Sequence, residues 1–104
     1  MDGFQVPCTF AGIDVSKASL DVYVLPSQRR LHVDYNDHGI RQIVELFLPF
    51  KEDLLVVLEA TGGYERSLVA ELHQAGIRVA VVMPGRVRQF ANGIGQLAKN
   101  DGID

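Results

Sequence analysis

Two carboxylates lie in apolar stretches of the sequence, where a charge is costly. Asp14 lies in the segment 10–15, Phe-Ala-Gly-Ile-Asp-Val, and Glu59 directly follows the apolar run 54–58. A buried charge is tolerated when it is paired, protonated or bound to metal. On neighbouring strands, the two carboxylates can share a cation. The alternative for each residue is a structural role, as the partner of an arginine or the cap of a turn.

A second pair of carboxylates belongs to Asp101 and Asp104. Residues three apart on a helix share a face, so these side chains can present two oxygens to one ion. Many solvated helix faces carry such pairs, and the spacing alone favours that plainer interpretation. The interpretation of Asp101 and Asp104 as metal ligands therefore depends on the three sequence motifs quoted below.

Several basic residues suit contact with nucleic acid. Lys17 follows Asp14 closely enough to contact a phosphate, and Arg86, Arg88 and Lys99 form a basic cluster. Phosphate affinity comes mostly from Lys and Arg, so we predict a nucleic-acid contact for all four. A solvated surface position is the alternative for each of them.

The segment after Glu59 contains Thr61, Gly62, Gly63 and Tyr64, which we predict to support the site. The first three open a helix whose free backbone amides can face an anion, although helix capping is the simpler explanation. Tyr64 can stack on a ligand or support the site, and a core position is its alternative.

The apolar periodicity predicts five strands and three helices. We expect the strands at residues 9–15, 20–25, 29–35, 54–58 and 78–83. The first helix is expected to be capped at Asn36 and Asp37, and the second to run from Tyr64 to a C-cap at Gly76. The third is expected to begin near Gly85.

The expected order of elements is three strands, a helix, a strand, a helix, a strand and a helix. This order predicts an α/β fold with a mixed five-stranded sheet and helices on both faces. The first three strands form an antiparallel meander, and helical crossovers join the later ones. A single domain over residues 1–104 is expected, because this length supports one core.

Composition argues against several classes of protein. No apolar run reaches the roughly 20 residues of a membrane span, and no secretory signal precedes the first strand, so we expect a cytoplasmic protein. The single cysteine, Cys8, supports neither a disulfide nor a zinc site and is expected to be a packing residue. His32, His38 and His73 show no metal-ligand spacing. The net charge of −3 argues against a stand-alone nucleic-acid binder.

Three motifs occur in an order that resembles one protein family. They are Gly-Ile-Asp-Val-Ser-Lys at 12–17, Leu-Glu-Ala-Thr-Gly-Gly-Tyr at 58–64 and Ala-Lys-Asn-Asp-Gly-Ile-Asp at 98–104. Together they resemble the N-terminal domain of the insertion-sequence-110 transposases and Piv-type DNA invertases. The resemblance implies a ribonuclease-H-like fold, similar to that of the RuvC Holliday-junction resolvase. It also implies a catalytic tetrad of Asp14, Glu59, Asp101 and Asp104 that holds two Mg²⁺ or Mn²⁺ ions for DNA strand cleavage and transfer.

The resemblance further implies partners and a larger protein. The expected partners are DNA at the insertion-sequence ends and target, a guide RNA in some relatives, and further copies of the full-length chain, with no membrane. A second domain supplies a serine in the family, so we expect residues 1–104 to be a truncated fragment that is inactive alone. The chain departs from the family at 99–102, where Gly102 replaces a bulkier residue and weakens the last helix.

Two functions of other classes stay open. An actin-like or sugar-kinase-type ATPase half also begins with Gly-Ile-Asp on its first strand. A Gly/Thr-rich phosphate loop normally follows, and Val15-Ser16-Lys17 matches it poorly. A non-catalytic ribonuclease-H-like module, used for nucleic-acid binding or dimerisation, would keep the fold without needing all four acids.

Overall fold

The computed structural model describes residues 6–83, which form a mixed sheet with two α-helices. The strands are β1 (Thr9–Val15), β2 (Ser19–Leu25), β3 (Arg29–Asp34), β4 (Leu54–Glu59) and β5 (Arg78–Val82). The helices are α1 (Asp37–Phe47) and α2 (Arg66–Gln74), and a 3₁₀ helix (Leu48–Asp53) joins α1 to β4. The five predicted strands and the first two predicted helices are confirmed, with small shifts at their ends. The third helix, predicted near Gly85, falls outside the described residues.

The five strands are arranged in the order β3-β2-β1-β4-β5. β1, β2 and β3 are antiparallel neighbours, whereas β4 and β5 continue the sheet in parallel with β1. A short turn can join antiparallel strands, but parallel strands need a crossover, and α1 and α2 lie in these two crossovers. The predicted α/β fold with a mixed five-stranded sheet is therefore confirmed, and β1 is its central strand.

One face of the sheet carries the core. α1 packs on it through Ile40, Ile43 and Phe47, and α2 through Leu68 and Leu72. The strand residues buried beneath them alternate along the chain: Ala11, Ile13, Val15, Leu20, Val22, Val24, Val33, Leu54, Val56 and Leu58. The opposite face, here called the open face, is covered by neither described helix. A helix on that face, as predicted, would have to come from residues outside 6–83.

Helix α1 begins at a close contact with the end of β3. Asn36 caps the helix as predicted, because its side-chain oxygen accepts the backbone N–H of Gly39 at 2.7 Å. Gly39 is buried, and a Cβ atom added to it would lie 1.9 Å from the carbonyl oxygen of Asp34. Glycine is therefore the residue that lets α1 approach β3 this closely.

Helix α2 ends one residue before the glycine predicted as its C-cap: Ala75 is the C-cap, and Gly76 follows it with a positive φ of 78°. The backbone N–H of Gly76 donates to the carbonyl oxygen of His73, and that of Ile77 donates to the carbonyl oxygen of Leu72, both at 3.0 Å. These bonds satisfy carbonyls that the end of a helix leaves free. The chain then turns directly into β5.

The beginnings of β1 and β4 are joined by Asp53, the last residue of the 3₁₀ helix. Its carboxylate accepts the backbone N–H of Cys8 and the hydroxyl of Thr9, each at 3.0 Å. Its backbone carbonyl accepts the same Cys8 N–H at 3.2 Å. The parallel pairing of the two strands starts beside this contact, with Thr9 opposite Leu54.

The expectation that Cys8 is a packing residue is wrong. Its side chain is exposed, because Cys8 precedes β1 and is not one of the alternating strand residues that point into the core. His38 and His73 are exposed. Neither described α-helix has the length and apolar content that crossing a membrane requires.

Candidate metal and nucleic-acid site

Two adjacent parallel strands, β1 and β4, place a carboxylate side by side on the open face. Ile13 pairs with Leu58, and both side chains are buried beneath the helices. The residues that follow them, Asp14 and Glu59, point to the opposite face, because side chains alternate along a strand. Both line one open groove of about 780 Å³. The structure thus brings these two predicted site residues together.

Asp14 is exposed, which corrects the expectation that its charge is buried within an apolar strand. The segment is apolar in sequence because its neighbours Ile13 and Val15 face the core, whereas Asp14 faces outward. Glu59 is half-buried. Burial therefore does not force either carboxylate to be paired or metal-bound.

Neither carboxylate is engaged elsewhere in the described part of the chain. Within residues 6–83, the side chains of Asp14 and Glu59 have no hydrogen-bond or ion-pair partner. Other acids nearby do: Asp21 contacts His32, and Glu65 accepts hydrogen bonds from the turn after β4. Arginine pairing and turn capping, the structural alternatives for Asp14 and Glu59, do not occur among these residues.

Two free carboxylates on one wall of a groove fit part of a divalent-metal site. Hard cations such as Mg²⁺ prefer oxygen ligands, and each ion uses one or two carboxylates. Among residues 6–83, no three Asp, Glu, His or Cys side chains converge as a metal site would require. The other two predicted ligands, Asp101 and Asp104, lie outside the described residues, so a metal site formed by all four carboxylates stays a prediction.

Lys17 is exposed in the turn between β1 and β2, at the same end of the sheet as Asp14. The turn closes on itself: the backbone N–H and the hydroxyl of Ser16 both donate to the carbonyl oxygen of Ser19, at 3.0 Å. A turn closed in this way differs from the open loop of amides that cradles a nucleotide phosphate. The other predicted basic contacts, Arg86, Arg88 and Lys99, lie outside the described residues.

The turn that follows Glu59 is organised by Glu65. Its Oε1 atom accepts the hydroxyl of Thr61 at 2.7 Å, the N–H of Thr61 at 2.9 Å and the N–H of Gly63 at 3.2 Å. These hydrogen bonds, led by that of the Thr61 hydroxyl, lower the pKa of Glu65 to about 2. The amides of Thr61 and Gly63 are thus occupied by a carboxylate of the chain itself, as in a cap, and Gly62 lies exposed between them.

Tyr64 lies on the surface rather than in the core. Its side chain is 50% exposed, which excludes the core position that was its alternative. Its backbone carbonyl accepts the hydroxyl of Tyr35, whose oxygen also lies 3.0 Å from the Ser67 hydroxyl. A stacking or supporting role for the Tyr64 ring stays a prediction.

Replacing Glu65 by glutamine is expected to destabilise the fold at neutral pH. The reason is that hydrogen bonds accepted by a charged carboxylate are stronger than those accepted by a neutral amide. The pKa of Glu65 is about 2 in the fold, against 4.5 ordinarily. The contribution of the carboxylate is therefore fully present above about pH 4.5 and is lost as the pH falls toward 2. Urea unfolding at several pH values should show the difference between wild type and variant shrinking in acid. A difference that grew in acid would contradict this account.

A pair of residues beside Asp14 was missed by the sequence reasoning. In the antiparallel register, Asp21 lies opposite Asp14, and His32 lies opposite Asp21. His32 Nδ1 is 2.6 Å from Asp21 Oδ1, and this hydrogen bond, followed by the charge of Asp21, raises the pKa of His32. Like charges directly opposite each other destabilise an antiparallel pair, and His32 offsets this by balancing Asp21. The pairing depends on strand register, which the histidine spacing did not reveal.

A family model described as a transposase, for the DEDD transposases of insertion sequence 110, matches residues 11–104. The chain belongs to this transposase family. The matched range contains all four acids of the predicted tetrad and thus spans both the described site and the residues beyond it. No curated protein matches the chain.

Solved structures confirm the RuvC-like fold of this transposase domain. RuvC of T. thermophilus, in complex with a Holliday junction substrate, has a TM-score of 0.55 at 15% identity, over 78% of this chain and 68% of that one. A Bacteroides thetaiotaomicron protein with an actin-like ATPase fold and unknown function has a TM-score of 0.54 at 15% identity, over 77% of this chain and 34% of that one. The transposase chain thus spans about a third of the second protein. At this identity both likenesses show the fold alone, so the second does not favour an ATPase.

Proposed function

We propose that this domain is the metal-dependent catalytic domain of its transposase, in which Asp14, Glu59, Asp101 and Asp104 hold Mg²⁺ or Mn²⁺. The observation that carries the proposal is that Asp14 and Glu59 line one groove and neither has a partner among residues 6–83. Within residues 6–83, neither side chain has to give up a hydrogen bond or an ion pair to bind an ion. Four carboxylates are sufficient for two ions.

The chemistry proposed for the site is cleavage and transfer of DNA strands. A divalent cation bound there supplies positive charge to a phosphodiester and to the oxygens that enter and leave it. The role of the carboxylates is to hold that charge in place, and the sheet gives Asp14 and Glu59 a rigid support. Lys17, together with Arg86, Arg88 and Lys99, is proposed to contact the DNA backbone.

The electrostatics of the open face fit this assignment. The chain carries a net charge of −3, and free carboxylates repel phosphate. A bound cation changes the sign of the local field, so metal and DNA are expected to bind cooperatively. Since His32 engages Asp21, the free negative charge in the described part of the groove is that of Asp14 and Glu59.

The proposed substrate is DNA at the ends of the insertion sequence and at its target. RuvC, whose fold this domain shares, is in complex with a Holliday junction, which is also DNA. A serine from a second domain, homo-oligomerisation and a guide RNA are proposed for the full-length protein, on the basis of the family resemblance.

Metal titration of the 104-residue chain, followed by NMR, tests the proposal. Mg²⁺ is expected to shift the amide signals of Asp14 and Glu59, and paramagnetic Mn²⁺ to broaden signals around the ends of β1 and β4. Asp14→Asn and Glu59→Gln should weaken both effects, whereas Glu45→Gln, an exposed charge on α1, should not. Unchanged signals at Asp14 and Glu59 in millimolar metal would contradict the proposal.

A further inference from the structure

A second row of residues crosses the open face beside the carboxylates. Gly12, Tyr23 and Arg30 are successive cross-strand neighbours on β1, β2 and β3, and they line the same groove as Asp14. Gly12 precedes Asp14 by two residues on β1, which corresponds to roughly 7 Å along the strand. The row therefore lies directly beside the proposed metal ligands.

Tyr23 and Arg30 contact each other on this face. The guanidinium carbon of Arg30 lies 4.9 Å from the centre of the Tyr23 ring, a cation–π geometry. Both side chains are exposed, and within residues 6–83 no carboxylate lies within ion-pair distance of Arg30. An arginine held against a ring and without an acidic partner keeps its donors available for a phosphate.

Gly12 leaves a gap on the other flank of Tyr23. Arg30 approaches the ring from β3, while β1 lies on the opposite side of β2. A Cβ atom added to Gly12 would meet no atom within 4 Å, so packing among the described residues does not require glycine here. A glycine within a strand often marks a point where a ligand comes close to the backbone.

We infer that Gly12, Tyr23 and Arg30 form a slot for one unstacked nucleotide of the single strand whose phosphate lies at Asp14 and Glu59. The base stacks on Tyr23 above Gly12, and Arg30 faces an adjoining phosphate. This inference rests on the proposed function and adds a nucleotide subsite to it. The positive charge of Arg30 fits the negative charge of such a strand, and stacking on aromatic side chains binds single strands with little sequence preference.

Binding of labelled single strands to the 104-residue chain, followed by fluorescence anisotropy, tests the inference. With strands of roughly 10 nucleotides, wild type is expected to bind oligothymidine more tightly than a strand of equal length without bases. Tyr23→Ala is expected to weaken oligothymidine binding about fivefold or more, without affecting the base-free strand. Tyr23→Phe should keep most of the affinity, and Gly12→Val should lose it by filling the slot. An oligouridine strand measured in parallel shows whether the slot prefers DNA or RNA.

Two variants on the helix side of the sheet are matched controls. Arg41→Ala removes an exposed guanidinium and Leu48→Ala an exposed apolar side chain, and both are expected to bind as wild type does. Equal binding by wild type and Tyr23→Ala, equal binding of the strands with and without bases, or no binding by wild type would each overturn the inference.

The same measurements made with Mg²⁺ and with EDTA separate the two proposals. If Asp14→Asn leaves the metal dependence of binding unchanged while Tyr23→Ala still weakens binding, the proposed metal site fails and the nucleotide slot stands. If metal dependence is lost in Asp14→Asn but Tyr23→Ala binds as wild type does, only the slot is overturned.

Discussion

Replacing Asp14 by asparagine in a full-length transposase that carries this domain is expected to lower the rate of Mg²⁺-dependent strand cleavage at least about a thousandfold. Asparagine keeps the size of the side chain but lacks the negative charge that holds a cation. Charge stabilisation by a bound metal is worth several kcal/mol in the transition state, and about 4 kcal/mol corresponds to that factor. The same loss is expected for Glu59→Gln.

The stability of these variants distinguishes a catalytic role from a structural one. Neither carboxylate has a partner among residues 6–83, and Asp14 lies opposite another acid, Asp21. Removing the charge of Asp14 is therefore expected to leave the free energy of unfolding unchanged or to raise it slightly. Single-turnover cleavage and urea unfolding, measured on the same preparations, should show a large loss of rate without a loss of stability.

The matched control for Asp14→Asn is Glu45→Gln, which removes one exposed negative charge from α1. This variant is expected to cleave DNA at the wild-type rate, because α1 packs on the face of the sheet opposite the groove. A cleavage rate for Asp14→Asn within about tenfold of wild type would contradict the proposal. It would instead favour a non-catalytic module that binds nucleic acid or another copy of the protein.

Gly39→Ala is expected to destabilise the fold by about 3 kcal/mol or more, although alanine favours a helix by about 1 kcal/mol over glycine. The reason is that the added Cβ atom would lie 1.9 Å from the carbonyl oxygen of Asp34, so the backbone of α1 or β3 must move. That movement also disturbs the Asn36 cap, itself worth about 1 kcal/mol. In a domain of this size the melting temperature should fall by at least about 12 °C.

Gly12→Ala provides the control for Gly39→Ala. The added Cβ atom at position 12 meets no other atom within 4 Å, so the change in stability should stay within about 0.5 kcal/mol. Thermal unfolding of the two variants under identical conditions gives the comparison. Similar melting temperatures for both would show that the contact between Gly39 and Asp34 does not limit the packing of α1.

The local elements of the fold were predictable because the residues that determine each strand, helix or cap lie within a few positions of one another in the sequence. β1 and β4 are short, mostly apolar segments, α1 begins at the predicted Asn36 cap, and α2 ends at Ala75, directly before the predicted Gly76. The helical segments carry their apolar residues at helical spacing, and the turns contain the residues that favour turns. These signals are local, and one sequence is enough to interpret them.

The surroundings of the site were less predictable, because they depend on register between distant segments. Asp14 was expected to be buried, since its neighbours in sequence are apolar, yet it alternates onto the open face. The contacts of Asp21 with His32 and of Tyr23 with Arg30 exist only because β2 and β3 pair in one particular register. Neither pair leaves a signature in the spacing of its residues along the chain.

Asp53 lies roughly 20 Å along the strands from Asp14 and Glu59, yet it contributes to the strand alignment that places these two carboxylates side by side. By holding the first residues of β1 to the start of β4, it sets the alignment of the two strands from their remote end. A slip of one residue would turn one carboxylate into the helix layer and leave the other alone in the groove. A substitution at Asp53 is therefore expected to reduce the proposed strand cleavage by misaligning Asp14 and Glu59, without removing either proposed metal ligand.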